Sequence, residues 1–592
     1  MDMERIFLKI KILAPAIAAG AVLAIPFLMA FERSLLNYGF LLLLIYVLLS
    51  ILYSVGVYYL VLNFSMVRLK AYTLHWRILW FLGCLLAGFW LANNIPLRAY
   101  TFSATFLFTN IPTRLIIYMS GGLGIGLLIF VLSSWLATSR FYSDKPDEIQ
   151  PWRWLKYALP MLLIWGIYLL AFWPGMMSAD SMVQWEQVLT GRFYDHHPAF
   201  HTFIIWGLTR FSLTPAVVSI AQILVLGLLA GAILAFIETL GVQRWLLWLA
   251  SFIFALSPVN GTMVVTLWKD IFYSTAMLAL TYFLFRIVYS KGRWLQALSS
   301  KIILGISAAL VSLLRHSGWP VAIGSLVAAV LAFPGKWKPI LVSLGITVLL
   351  FLGIRGPVYQ LVGVQKSTIL LESSLSLYTL AAYTAPDTHA DGLFNTIQPL
   401  SDEWTCDIWS SLGSSWQEEN LDMDIEFATM AGNFVQRIPK VLLYTYSCRR
   451  SIVWVIYDPS ELVRNPSHTE LLIDPNPYGL HPDSKIPELQ ALVSDLVLKT
   501  SRNGDINWLI WRPALYLYLF LFVVAVNVIR HKKIQFFLPA VPLLLQSVAT
   551  TLVIIMPNFR YHYSAYLIGL IFWPLLFVTG KSEQEYAEEE VG

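Results

Sequence analysis

The sequence predicts an all-α polytopic integral membrane protein, and three observations carry the prediction. Of 592 residues, 58% are hydrophobic and only 13% are charged, whereas soluble domains average roughly 45–50% apolar and about 25% charged. Mean hydropathy is +0.67. Apolar stretches near the roughly 20 residues that a helix needs to cross a bilayer recur along the whole chain. A soluble enzyme, a disordered chain and an outer-membrane barrel are excluded, since none carries such runs. The formal net charge of +5 is too small to imply a nucleic-acid partner.

The apolar windows give about fourteen spans. In order they are 13–30, 38–62, 77–93, 114–137, 154–173, 214–238, 244–257, 271–288, 301–315, 318–333, 338–354, 512–530, 535–556 and 560–579. The shortest, 244–257 and the pair split at Arg315 and His316, are the ones expected to be tilted, broken or merged. Lys and Arg in short loops set orientation. Arg5, Lys9 and Lys11 put the N-terminus in the cytoplasm, and alternate loops are basic in turn: Arg68 and Lys70; Arg140, Lys145 and Arg153; Arg244; Lys291, Arg293 and Lys301; Lys336 and Lys338; Arg530, Lys532 and Lys533. An even span count returns the acidic tail, 581–592, to the cytoplasm. No small-residue cleavage site follows the first span, which is expected to be retained.

The chain then divides into an N-terminal four-helix membrane region (1–150), a membrane core (151–354) with a large external loop at 174–213, an external domain (355–511) and three C-terminal spans (512–580). The external domain reads as mixed helix and loop, with helical periodicity near 418–437 and 485–500. The apolar stretch 441–457 is interrupted by Arg449 and Arg450 and reads as an interfacial helix. Cys84 lies in an apolar run, and Cys406 and Cys448 are the one pair available for a disulfide.

Ionisable groups beside span ends are costly unless they work, so they are where chemistry is sought. The first cluster is Pro174-Gly175 through Asp180-Ser181, then Gln184, Trp185 and Glu186, then Asp195-His196-His197-Pro198 and His201. Asp180 fits a helix cap, worth about 1 kcal/mol, or a general base for a hydroxyl. Adjacent His196 and His197 do not readily face one metal. The short apolar stretch 198–212 reads as a surface helix. The second cluster is Ser257-Pro258 with Trp268-Lys269-Asp270, where a snorkelling Lys beside a capping Asp is the plain alternative. Arg315-His316 interrupts an otherwise apolar stretch, and Asn558-Phe559-Arg560-Tyr561 opens the last span. Lys269, Arg315, His316 and Arg560 share one explanation, an anionic lipid phosphate held by charge-assisted hydrogen bonds. Asp180 would then take the acceptor's proton, and Trp-rich loops suit sugar rings.

These residues, together with Leu314 and His197-Pro198, resemble a bacterial multi-pass membrane family related to the GT-C integral-membrane glycosyltransferases. The resemblance covers roughly residues 150–580. It implies a polyprenyl-phosphate sugar donor, a catalytic Asp in the first large external loop (Asp180 here) and an external domain set among later spans. It further implies that Asp270 matches an acidic residue of the next external loop and that Arg560-Tyr561 matches a basic-aromatic pair near the last span. The sequence lacks the adjacent Asp-Glu pair of the protein mannosyltransferases and the Trp-Trp-Asp signature of oligosaccharyltransferases. Metal use and a protein acceptor therefore stay open, with Asp180 and Asp270 the carboxylates available to a divalent cation (Mg or Mn).

The expected function is an inverting hexosyl or pentosyl transfer at the external face of the cell membrane, to a glycan, lipid or protein acceptor of the cell envelope. Asp180 is the expected catalytic residue. His196, His197, Lys269, Asp270, Arg315, His316, Arg560 and Tyr561 bind substrate, and the donor's lipid tail lies in a groove among the helices. The alternatives are a lipid-linked glycan flippase or transporter, which would favour ionisable groups near the bilayer midplane and internal repeats, and a glycan ligase, which needs the same carboxylate and cations.

Overall fold

The computed structural model describes residues 13, 16–21, 23–24, 39–65, 73–94, 111–139, 141, 152–365, 452–456, 472–502, 504–553 and 558–578. Among these residues every named element is helical. Eight helices are long and apolar enough to cross a membrane: Leu74–Ala92, Tyr118–Thr138, Arg153–Ala171, Ala216–Thr239, Lys269–Tyr289, Pro334–Val362, Pro513–His531 and Ile534–Leu552. The chain is therefore a multi-pass membrane protein. A bent pair, Arg244–Leu256 with Pro258–Val264 at 57°, makes a ninth if it counts as one span.

Among the described residues fewer than the predicted fourteen spans are found, for identifiable reasons. The windows at 301–315 and 318–333 are helices of 17 and 15 residues, about 25 and 22 Å long at 1.5 Å per residue, against a hydrocarbon core of about 30 Å. The window at 244–257 bends at Ser257, which caps a further short helix by accepting from the Asn260 amide at 3.2 Å. The last window breaks into a 3-10 turn (Phe559–His562), a ten-residue helix (Tyr563–Phe572) and a second 3-10 turn. Half of the first window, the acidic tail, Cys406, Cys448 and most of 355–511 lie outside the described residues.

Contacts divide the chain into two compact units, Met1–Arg140 with Trp454–Glu461, and Phe141–Val453 with Leu462–Gly592. The first contains α1 (Gly39–Ser65), α2 (Leu74–Asn94) and α3 (Ile111–Thr138). Here α2 and α3 pack closely because Gly88 faces Gly122 and Gly126, where a Cβ would lie 2.3 Å from backbone atoms.

The second unit holds α4 (Arg153–Ala171), α5 (Ala179–Thr190), α6 (Ala199–Leu208), α7 (Ala216–Thr239), α8 (Arg244–Leu256), α9 (Pro258–Val264), α10 (Lys269–Tyr289), α11 (Leu298–Leu314), α12 (Gly318–Ala332) and α13 (Trp337–Gly353). Then come α14 (Tyr359–Val362), α15 (Pro487–Arg502), α16 (Gly504–Ile510), α17 (Pro513–His531), α18 (Val541–Val553) and α19 (Tyr563–Phe572). Apolar residues surround α10 on every side, as a fully enclosed helix requires, and it packs against α7, α11, α18 and α19. Pairing of α4 with α7 depends on Gly231, whose added Cβ would meet the Trp154 carbonyl at 2.3 Å. The outer helices instead present Leu331, Leu349 and Leu352 outward, as a lipid-facing surface would.

Candidate functional site

Local backbone pairing assembles the site. After α4 the chain turns at Pro174-Gly175 and extends through Met176 and Met177, which form isolated bridges with Thr266 and Ile473 respectively. Met176 N–H donates to the Val265 carbonyl (2.9 Å) and Leu267 N–H to the Met176 carbonyl (2.9 Å). On the other side Met177 N–H donates to Leu472 (3.1 Å) and Asp474 N–H to Met177 (2.9 Å). Two of these extended pieces run straight into helices, α5 at Ala179 and α10 at Lys269. Their first turns, with Asp180 in one and Lys269-Asp270 in the other, are thereby set side by side. Ser181 Oγ donates to the Leu267 carbonyl (2.7 Å) and Trp268 Nε1 to Ser178 Oγ (2.8 Å), tying the two helix starts together.

Arg560 reaches this place from the 3-10 turn before α19, where Asn558 Oδ1 accepts from the Arg560 amide at 3.2 Å. Its guanidinium donates to Asp180 Oδ2 at 2.6 Å, lies over the Trp268 ring (4.8 Å to the centroid) and reaches Tyr561 Oη at 3.4 Å. Asp180 is therefore not the cap considered for it. Ser178 occupies the cap position, and the Asp180 carboxylate, on the second helical residue, is drawn to a guanidinium instead.

His197 stands between Asp180 and Lys269. Lys269 Nζ is 2.7 Å from His197 Nδ1, and His197 Nε2 is 3.7 Å from Asp180 Oδ1. An ammonium has only donors, so Nδ1 accepts and the proton of the neutral ring sits on Nε2, facing the carboxylate. Burial, and next the Lys269 charge, push the His197 imidazole well below its ordinary pKa. Burial alone would raise the Asp180 carboxyl, but the Arg560 charge, with Lys269 assisting, holds it well below the usual carboxylate range. Burial likewise works against the Arg560 charge, and Asp180 reverses it, so Arg560 stays protonated. The His196 ring lies 4.8 Å from that of His197.

A second pair adjoins the first. Arg315, extended between α11 and α12, donates to the Tyr561 carbonyl (2.8 Å), lies 5.3 Å from the Tyr273 and Tyr561 rings, and stands 3.9 Å from Asp270. The Asp270 carboxylate accepts no hydrogen bond among the described residues.

The third pair was not foreseen. Arg355 pairs with Asp195, approaches His316 Nδ1 at 3.4 Å, and lies over Phe351 and Tyr359. Span 338–354 was expected to end one residue earlier, but a π-turn, Ile354–Val358, carries the helix on to Val362, and such turns recur at functional sites. Asp195 Oδ1 also accepts from the Ala199 amide (3.0 Å), starting α6. Burial lowers the His316 pKa.

All nine predicted site residues thus lie in this one neighbourhood. His201 turns away, 0% exposed and bonded to Gln184 at 3.0 Å. Each of Asp180, Asp270 and Asp195 has its own arginine, while among the described residues the Lys269 side chain has only the His197 ring for a hydrogen-bond partner. The Lys269 ammonium, which forms no ion pair among the described residues, is where an anion would find a cation. Among the described residues no three His, Cys, Asp or Glu side chains group as metal ligands.

No protein-family model, curated protein or solved structure matches this chain. The residues and their geometry alone therefore carry the functional reading.

Proposed function

We propose that the protein is an integral membrane glycosyltransferase moving a sugar from a polyprenyl-phosphate donor to a cell-envelope acceptor at the external face. One observation carries the reading. Asp180, with 30% of its side-chain surface open, sits beside Arg560 and Lys269, and Lys269 forms no ion pair among the described residues, so a proton acceptor would lie next to cations for a leaving phosphate.

In this reading the donor phosphate lies against Lys269 and Arg560 and weakens the hold of Arg560 on Asp180. The freed carboxylate takes the proton of an acceptor hydroxyl. That oxygen bonds to the anomeric carbon from the face opposite the phosphate, the bond from carbon to phosphate oxygen breaks, and polyprenyl phosphate leaves with the bonding pair. The cations stabilise charge that grows on the phosphate oxygens, where preorganised donors contribute most. Inversion follows from the single displacement.

The test is transfer of radiolabelled sugar from a panel of polyprenyl-phosphate sugars by the purified protein, beside Asp180→Asn. Transfer or donor hydrolysis should fall at least 100-fold in the variant while donor binding persists. A fully active variant, or a parent that binds and consumes no donor, overturns the proposal and favours lipid-linked glycan transport.

A further inference from the structure

We propose that the protein holds an anionic phospholipid by its phosphate at the ends of α4, α7 and α8 remote from Asp180. The 19 residues of α4 put about 27 Å of helix between the two places, and the lipid site is independent of the proposed glycosyl transfer. Glu238, the penultimate residue of α7, is 0% exposed. Its Oε1 accepts from Lys156 Nζ at 3.3 Å and from Arg244 Nε at 3.0 Å, while its Oε2 has no hydrogen-bond partner among the described residues. Arg153 stands three residues before Lys156, on the same face of α4. It is 8% exposed, and its Nη1 has no hydrogen-bond partner among the described residues. The Lys156 ammonium lies 4.5 Å from the centre of the Tyr157 ring, which packs on Trp248 of α8 at 5.3 Å.

Three cations are thus gathered with one carboxylate, leaving two positive charges uncompensated among the described residues. A buried guanidinium without a counter-ion is unfavourable, and an anion that settles beside it relieves that penalty through charge-assisted hydrogen bonds. The cluster is reachable, since the side chains of Lys156 and Arg244 keep 36% and 50% of their surface open. Two features make the anion a lipid's. Trp152 and Trp245 are exposed at this end of α4 and α8, and indoles so placed sit at the level of the headgroups. From Lys156 the same stripe of α4 continues through Leu159, Leu163 and Ile167, all exposed, so a molecule whose phosphate meets Lys156 finds apolar surface along which its acyl chain can lie. Basic pockets between membrane helices take anionic headgroups in this way.

Native mass spectrometry of the full-length protein, titrated with phosphatidylglycerol or with zwitterionic phosphatidylcholine, tests the site. Phosphatidylglycerol should bind roughly 25-fold more tightly, at about fivefold for each uncompensated cation. Lys156→Gln and Arg244→Gln should each weaken its binding about fivefold, and Lys338→Gln, an exposed lysine of α13, should leave it unchanged. Glu238→Gln removes the carboxylate that competes with the phosphate and should tighten binding about fivefold. That gain is an outcome misfolding does not imitate, and a purely structural ion cluster would not give it. In Arg560→Gln, at the other end of the molecule, phosphatidylglycerol binding should persist; its loss would place the lipid at the Asp180 site and overturn the proposal. Equal affinity for the two lipids, or Glu238→Gln protein that binds phosphatidylglycerol no more tightly than the parent, overturns it as well. Millimolar inorganic phosphate should not displace the lipid, and displacement would assign the cations to a free anion instead. Should Lys156→Gln or Arg244→Gln fail to fold, the comparison of lipids on the parent and the sign of the Glu238→Gln effect still decide.

Discussion

Removing the carboxylate of Asp180 should make the protein bind polyprenyl phosphate more tightly while abolishing its chemistry. In the resting arrangement Arg560 donates to Asp180 at 2.6 Å, so a phosphate that uses Arg560 must compete with that carboxylate. Two unit charges about 4 Å apart attract by about 4 kcal/mol at an effective dielectric of 20. The Asp180 side chain is 30% open and that of Arg560 9%, and water regained by the released carboxylate offsets more than half of the attraction. About 1–2 kcal/mol remains for the incoming phosphate to overcome, which is roughly 5–30-fold in affinity. Asp180→Asn should therefore tighten binding of polyprenyl phosphate by that factor in native mass spectrometry of nanodisc-embedded protein. Arg560→Gln should weaken it at least tenfold, and the double variant should behave like Arg560→Gln. Unchanged or weaker binding by Asp180→Asn would mean that Arg560 never leaves the carboxylate, and the leaving-group role given to Arg560 would be refuted.

Two further outcomes follow from the same electrostatics. With its pKa depressed, Asp180 contributes stability that is present above the unfolded value of about 3.9 and is lost as pH falls through the lower folded value; in Arg560→Gln burial acts with less opposition, so the acid limb of the pH–rate profile should move to higher pH, and an unmoved limb would show that another group sets it. Asp270 is 1% exposed and stands 3.9 Å from Arg315, whose side chain is 14% exposed, so Asp270→Asn, which leaves the Arg315 guanidinium without its carboxylate, should destabilise the protein by about 2–4 kcal/mol and lower both Tm and turnover; an unchanged or raised Tm would show that the Tyr561 carbonyl and the two rings are enough to hold Arg315.

Most of the helices were legible because a bilayer demands long apolar runs, and the charged clusters were legible because an apolar chain can seldom afford ions beside its spans. Asp180, His197, Lys269, Asp270, Arg315 and Arg560 announce themselves in this way. Length was harder to read, since the helices ending at Leu314 and Ala332 look like spans by hydropathy alone. The ribbon that unites the site was not legible. Met176, Met177, Thr266 and Ile473 pair through backbone groups that every sequence possesses, so no residue type signals them. Arg355 was missed because a π-turn prolongs its helix past a break placed at 354.

In the proposed reaction, charge pairing alone does not say which of the three carboxylates would take the proton, because each has its own arginine. Accessibility and remaining valence separate them. Asp195, with 9% of its side chain open, already serves Arg355 and the Ala199 amide. Asp270, at 1%, cannot be reached from solvent without rearrangement. Asp180 keeps 30% of its surface open, faces a histidine held in one tautomer by Lys269, and stands on a helix start fixed by pairing to two other segments. A proton acceptor must touch its substrate and hold its position while doing so. Of the three, Asp180 meets both conditions; Asp195 and Asp270 fit instead as anchors that hold Arg355 and Arg315 in place around it.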